Sequence, residues 1–404
     1  NHHWSPPCPQ RSGHRSCVAA ALRSQRQAGT ACKTGDVPTP QYSEPLSGLA
    51  LSIEDSWHAF RLNQARRRGW NITVLPYRGY GLSGDNGWIR VLGRVVMSKP
   101  GRLVGGRHLP DVVADGIRGW RNFVSPTVLG ATVDVTVGDL HFTVTADRGG
   151  VLDERLAVNL APGWQKIVLC PRDEDGNTSD PVTSSVFVVD SAQTHGVICD
   201  VDDTVVVTAL PRPMLAAWNS FVLDEHARNS TPGMPVLLDR ITRDQPMAPT
   251  LYLSTGAWNV NLALTRFLAR NMYPDGPLLL TDWGPTEGRV FRSGTQHKVD
   301  RLRRLAEEFP HISWLLIGDD GQHDPEIYAE FARRYPDNVR AIVIRQLSPS
   351  QAVLAGGRSE GIMGSTPGIP WVYASDGGRI AQRLEALGLL TPPPQLDADI
   401  EENV

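Results

Sequence analysis

From Asn71 to Val189 apolar and polar residues alternate in short runs; after Val189 the alternation gives way to continuous apolar runs separated by helical spacing. The first regime comprises Ile72–Val74, Ile89–Val96, Thr132–Val137, His141–Val144, Lys166–Leu169 and Ser185–Val189, rich in β-branched residues and divided by Gly, Pro, Asp and Asn. Alternate side chains of a strand point to opposite faces, so these runs predict an all-β, sandwich-like or barrel domain over 71–190. In the second regime Gly196–Cys199, Leu251–Ser254, Leu278–Thr281, Trp314–Ile317, Ala341–Ile344 and Trp371–Tyr373 read as strands. Between them Val260–Tyr273, Gln296–Phe309, Glu326–Tyr335 and Arg379–Leu387 carry helical spacing. Apolar runs without alternation suit strands covered on both faces, which predicts an α/β domain over 191–391 with a doubly wound, mostly parallel sheet. Residues 208–244 interrupt that rhythm and are expected to form a small helical cap beside a site.

Ahead of the β-rich region, 50–70 reads as a basic amphipathic helix with Trp57, Phe60 and Gln64 on one side and Arg66, Arg67 and Arg68 at its end. Basic residues in a last turn complement the helix dipole, and the same layout suits contact with an anionic lipid surface; both readings stand. Residues 1–49 lack periodicity and are rich in Pro, Ser, Gly and Arg, so a disordered tail is expected, with a second mobile tail over 392–404. The net charge of -3 argues against general nucleic-acid binding. No apolar run reaches the length of a membrane-spanning helix, which leaves peripheral membrane contact. Cys8, Cys17, Cys32, Cys170 and Cys199 show no metal or redox spacing, as expected of reduced thiols in a cytoplasmic protein.

The candidate chemistry gathers where the second set of strands ends. Asp200 and Asp202 share one side of an extended chain, and two carboxylates so close repel unless a cation joins them; an all-oxygen set suits Mg²⁺. Ser254 ends the next strand beside Thr255 and Gly256, where a hydroxyl can hold a phosphate oxygen or cap a helix. Lys298 is the one lysine after Asp200 in an arginine-rich chain. Asp319 and Asp324 follow another strand, and Asp324 before Pro325 also suits a helix start. Pro76–Gly81 is either a binding loop or a packed turn, and Asp173–Asn177 reads as an acidic turn, since it lacks the ligand series of a calcium loop.

Asp200-Val-Asp202-Asp-Thr204, Ser254, Lys298 and Gly318-Asp319 with Asp324 resemble the four ordered motifs of the haloacid dehalogenase-like phosphohydrolases. Gly-Asp-Asp-Gly-Gln-His-Asp-Pro-Glu-Ile-Tyr at 318–328 resembles, more narrowly, the actin-patch-protein type of phosphatidate phosphatase and its bacterial relatives. Asp320 departs from that pattern, which has a small hydroxyl residue there. The resemblance implies a haloacid dehalogenase-like fold and a phosphatase using Mg²⁺. It assigns Asp200 as nucleophile, Asp202 as general acid and base, Ser254 and Lys298 as phosphoryl-binding groups, and Asp200, Asp202 and Asp319 as metal ligands. Asp324 and Thr204 are supporting residues. The implied substrate is phosphatidate or a related lipid phosphate. Two other readings stay open: hydrolysis of a soluble or nucleic-acid phosphate, and a catalytically inactive lipid- or protein-binding scaffold. A chain beginning near Asp190 is expected to keep its activity on a small soluble ester.

Overall fold

The computed structural model describes residues 56, 58–99, 125–173, 176, 178–207, 229–281, 294–321, 323–354 and 366–393. Tail residues 1–49 and 394–404, Trp57, and 208–228 of the expected insert lie outside them. The described residues fall within one compact unit, Ser47–Val404.

Helix α1 covers residues 58–67. Its covered side runs through Leu62 and Ala65, with His58 Nε2 hydrogen-bonded to Thr127 Oγ1 at 2.8 Å, while Phe60 is 57% exposed. The expected face through Phe60 and Gln64 is therefore not the packed one. Ala65 packs into the core of the curled sheet.

Seven strands follow: β1 (Asn71–Leu82), β2 (Trp88–Ser98), β3 (Thr132–Val137), β4 (Leu140–Thr145), β5 (Val151–Ala157), β6 (Gly163–Pro171) and β7 (Val182–Val189). They form one continuous sheet in the order β4-β3-β6-β7-β1-β2-β5, where a sandwich would divide them between two sheets. Edge strands β4 and β5 approach one another, so the sheet curls around Val91, Val133, Val135, Leu152, Leu169 and Val186. In β3 the Thr-Val-Asp-Val-Thr-Val pattern buries every valine and leaves the intervening residues half-exposed. Pro76–Gly81 is strand, not loop. A Cβ on Gly79 would sit 2.2 Å from Arg90 O, so these glycines let β1 pass close to β2 while Tyr77 and Tyr80 turn inward.

The second sheet holds β8 (His195–Asp200), β9 (Thr250–Ala257), β10 (Leu278–Thr281), β11 (Ser313–Asp319), β12 (Val339–Arg345) and β13 (Trp371–Ala374). Its order is β10-β9-β8-β11-β12-β13 with every pair parallel. The chain builds outward from β8 to β10, then crosses back to lay β11 on the other side of β8. Ligands of open parallel sheets bind beyond the carboxyl ends of the strands at such a reversal. The helices are α2 (Met234–Asp244), α3 (Asn261–Arg270), α4 (Gly294–Glu308), α5 (Asp324–Arg334), α6 (Pro349–Leu354) and α7 (Gly377–Ala386). Helix α2 falls in the expected cap but buries Met234, Leu237 and Leu238 and joins α7 through Arg240 and Glu385 at 2.6 Å; it belongs to the main core.

The two sheets share a hydrophobic core. Tyr77, Tyr80, Trp88 and Leu92 of the first pack with Trp314 of the second and with Trp258 and Phe309 from the segments that follow β9 and α4. Tyr77 stacks on Trp258 at 5.1 Å, and Phe309 sits 5.4 Å from Trp88 and 5.9 Å from Trp314. The curled sheet thus keeps a core of its own around Val133, Val135 and Leu152, while its outer aromatic residues join the core of the parallel sheet.

Candidate active site

Asp200 is the last residue of β8 and Asp319 the last of β11, and these strands are neighbours at the sheet's reversal. Both carboxylates are fully buried, as is Asp324 at the start of α5. Lys298, on the first turns of α4, places Nζ 2.6 Å from Asp200 Oδ1 and 2.5 Å from Asp324 Oδ1. Asp324 opens a helix as its sequence suggests, yet its carboxylate turns to the ammonium and to the Asp319 N–H at 3.4 Å. A Cβ on Gly318 would lie 2.5 Å from Asp324 Oδ2 and 2.8 Å from the Tyr328 ring, so glycine there leaves room for the carboxylate.

The loop after β8 is tight. Asp203 takes φ 56°, and the N–H groups of Val205 and Val206 both donate to Val201 O at 3.0 Å. This turns Asp202 toward β9, where Ser254 Oγ donates to Asp202 Oδ2 at 3.0 Å and accepts the Gly256 N–H at 3.0 Å. Ser254 lies within β9, bonded to Asp202, and does not cap a helix. Thr204 Oγ1 is buried and makes no hydrogen bond among the described residues, so the loop is fixed by backbone bonds and by Arg345 instead of by that hydroxyl.

Arg345 was not marked by the sequence. It ends β12 in register with Asp319, is 3% exposed, and donates from Nη1 to Asp203 O and from Nη2 to Gln351 Oε1 at 3.2 Å. Burial pulls its pKa below the usual arginine value, with Asp319, Asp203 and Asp320 opposing. An arginine closing an apolar strand, Val-Arg-Ala-Ile-Val-Ile-Arg, was the available signal. Asp320 is also explained: its Oδ1 accepts the Leu347 N–H at 2.8 Å, which ties the loop after β12 to the loop after β11.

Burial drives the Asp200 carboxyl well above the usual range; Lys298 pulls it back, and Asp324, Asp202 and Asp319 push it further up. Asp319 is raised by burial and by Asp324, against Lys298 and the Gly321 N–H, which donates to its Oδ1 at 2.7 Å. Burial alone would depress Lys298, but Asp200, Asp324 and Asp319 together hold it above its ordinary value. Asp200 Oδ2 and Asp319 Oδ2 are buried with no hydrogen-bond partner among the described residues. Asp200, Asp319 and Asp324 each present an oxygen within 4.8 Å of the others. Buried carboxylates with open lone pairs fit a hard divalent cation, which satisfies them and favours their ionised forms. The arrangement brings together a buried carboxylate beside an ammonium, a second carboxylate held by a hydroxyl, and a set of oxygen ligands.

The candidate site residues from Asp200 to Arg345 lie in a segment that matches a known family. Residues 195–346 match the catalytic domain of phosphatidate phosphatase APP1. Over 177 residues the chain is also 25% identical to phosphatidate phosphatase APP1 of Saccharomyces cerevisiae, covering 43% of this chain and 30% of the relative. The chain thus spans about a third of the length of the curated relative it matches. Solved structures give distant likenesses. The fibronectin(III)-like modules of Clostridium thermocellum CbhA share 11% identity, with 30% of this chain and 98% of theirs covered at a TM-score of 0.15. The carbohydrate acetylesterase XAC1771 of Xanthomonas citri shares 11%, covering 71% of this chain and 73% of its own, at 0.24. Neither carries an argument about fold or function. The likeness to the APP1 catalytic domain takes in Asp200, Asp202, Thr204, Ser254, Lys298, Asp319, Asp324 and Arg345.

Proposed function

We propose that the chain is a Mg²⁺-dependent phosphomonoester hydrolase that acts through an aspartyl-phosphate, with phosphatidate or a related lipid phosphate as substrate. The observation that carries this reading is the buried Asp200–Lys298–Asp324 chain with Asp319 beside it, at the carboxyl ends of adjacent parallel strands. The strand order and the motif spacing support a doubly wound, haloacid dehalogenase-like fold for this half.

An Asp200 carboxylate oxygen attacks phosphorus, and the bond from phosphorus to the substrate alcohol breaks. Asp202, oriented by Ser254, gives its proton to the departing oxygen; water then attacks the phosphorylated Asp200 while Asp202 takes a proton from it. Free phosphate and the original carboxylate result. The Lys298 ammonium stabilises charge on the phosphoryl oxygens, and the Ser254 hydroxyl joins it by turning its single O–H from Asp202 to them. Asp200, Asp319 and the Asp202 backbone carbonyl would hold Mg²⁺, with Asp324 supporting them, and the cation supplies charge neutralisation at the phosphoryl group. Arg345 keeps the Asp203 peptide in place, and so keeps Asp202 directed at the site.

The lipid preference rests on the family match, supported by a surface that carries exposed Phe60, Arg66 and Arg67 on α1 and Arg68 just after it. Among the described residues no helix is long and apolar enough to cross a membrane, and peripheral contact is the corresponding reading. Phosphate release from phosphatidate vesicles and from a soluble monoester, each with Mg²⁺ or a chelator, tests the reading. It predicts Mg²⁺-dependent release from both, faster on vesicles at low salt. Release from the soluble ester alone would move the substrate to the water-soluble class, and no release from either would reject hydrolase activity.

A further inference from the structure

The helix that carries Lys298 has two faces with different tasks. Lys298, Leu302 and Leu305 are buried and follow the i, i+4, i+7 spacing of one face, directed at the parallel sheet. Arg301, Arg304 and Glu308 lie on the adjacent stripe, and every one of them is gripped by the seven-stranded sheet. Asp153 of β5 sits 2.7 Å from Arg301 Nη1 and 2.7 Å from Arg304 Nη1. Arg90 of β2 reaches Asp153 Oδ1 at 2.8 Å and bonds to Glu308 through Nε at 3.1 Å and through Nη2. Tyr80 of β1 donates to Glu308 Oε2 at 2.8 Å, and one residue on Phe309 is locked between Tyr80, Trp88 and Trp314.

We infer that Asp153 and Arg90 are positioning residues for Lys298: the seven-stranded sheet sets the rotation and height of α4 so that Nζ stays between Asp200 and Asp324. The inference rests on the hydrolase reading for its kinetic consequence, and on geometry alone for its structural one. Three arginines converge on Asp153, with side-chain exposures of 11% for Arg90, 11% for Arg301 and 19% for Asp153, while Arg304 at 33% lies at the edge of the network. A buried network with few alternative arrangements fixes orientation more firmly than apolar contact, which tolerates sliding. Lys298 has little room for error, since its ammonium lies within 2.6 Å of both carboxylates. A displacement of about 1 Å in a reacting group costs up to about 100-fold in rate.

The test uses the full chain with Asp153→Asn, the charge-keeping Asp153→Glu, the milder Arg304→Gln, and Val133→Ala as a remote variant of similar thermal effect. Val133 is buried in the curled sheet on β3, which pairs with β4 and β6 and not with β2 or β5. The readouts are kcat and KM on a soluble phosphate monoester, and acetylation of Lys298 followed by mass spectrometry well below the thermal midpoint. Exposed Lys99 and Lys166 serve as internal standards. Asp153→Asn is expected to lower kcat about tenfold with KM within about twofold, and to raise Lys298 labelling several-fold over the standards. Asp153→Glu restores part of both, Arg304→Gln moves both less, and Val133→Ala leaves both unchanged. Unchanged kcat and unchanged Lys298 protection in folded Asp153→Asn would overturn the inference, as would equal effects from Val133→Ala. Should Asp153→Asn fail to fold, Arg304→Gln decides by the same readouts. A wild-type chain that releases no phosphate rejects the hydrolase reading, and Lys298 labelling then decides the positioning role by itself.

Discussion

Tyr77 stacks on Trp258 with ring centroids 5.1 Å apart and planes 6° from parallel, joining a strand of the curled sheet to the turn that follows the Ser254 strand. With Trp88 against Phe309 and the Asp153 network over α4, this contact makes one face of the β-rich half part of the other half's core.

A chain beginning near Asp190 would therefore expose Trp258 and Phe309 and leave Arg301, Arg304 and Glu308 without their partners. It is expected to lose its cooperative thermal transition and its turnover of a soluble ester, against the expectation from composition that this ester would still be hydrolysed. In the full chain Tyr77→Ala should cost about 3 kcal/mol, read from denaturant unfolding. A truncated chain with a sharp transition and wild-type turnover would show that the halves fold independently.

The pattern of residues made the second sheet readable because fully buried parallel strands need continuous apolar runs, and β8, β11 and β12 have them. The site was readable for a related reason: strand ends are where charged residues stand out, as Asp200 and Asp319 do after Val-Ile-Cys and Leu-Leu-Ile-Gly. Strand β5 was missed. Its centre, Asp153-Glu154-Arg155, is polar because it forms a sheet edge and faces α4, so neither alternation nor an apolar run marks it. The roles of Asp153, Tyr77 and Arg345 depend on partners far away in sequence, and no local period records such a pairing.

The carboxylates of the site set a pH dependence whose sign is fixed. Asp200 and Asp319 have folded pKa values raised above the unfolded carboxylate value of about 3.9. Their contribution to stability is fully present below that pH and is lost as pH rises through the folded values. A cation that binds the ionised forms offsets the loss. Mg²⁺ should raise the thermal midpoint by several degrees at pH 8 and by little at pH 5, and Asp319→Asn should shrink the increment. Equal increments at the two pH values would argue against binding through these carboxylates.

The Ser254 hydroxyl at 3.0 Å orients Asp202, which in the proposed mechanism gives a proton to the leaving oxygen. Asp202→Asn should then slow hydrolysis of alkyl phosphates about 100-fold or more while sparing esters of acidic phenols, because a poor leaving group needs the proton most. Rates measured across a leaving-group series check this. A uniform loss across the series would assign Asp202 to metal binding alone.

The central claim is that the Asp200 carboxylate becomes phosphorylated, and Asp200→Asn tests it most directly. The full-length wild-type and variant chains are mixed with a radiolabelled phosphate monoester and Mg²⁺, quenched in acid, and digested for mass spectrometry. The account predicts label on Asp200 in the wild type, and in a folded Asp200→Asn chain neither label nor phosphate release. Near wild-type release by that variant, or label on another residue, would contradict it.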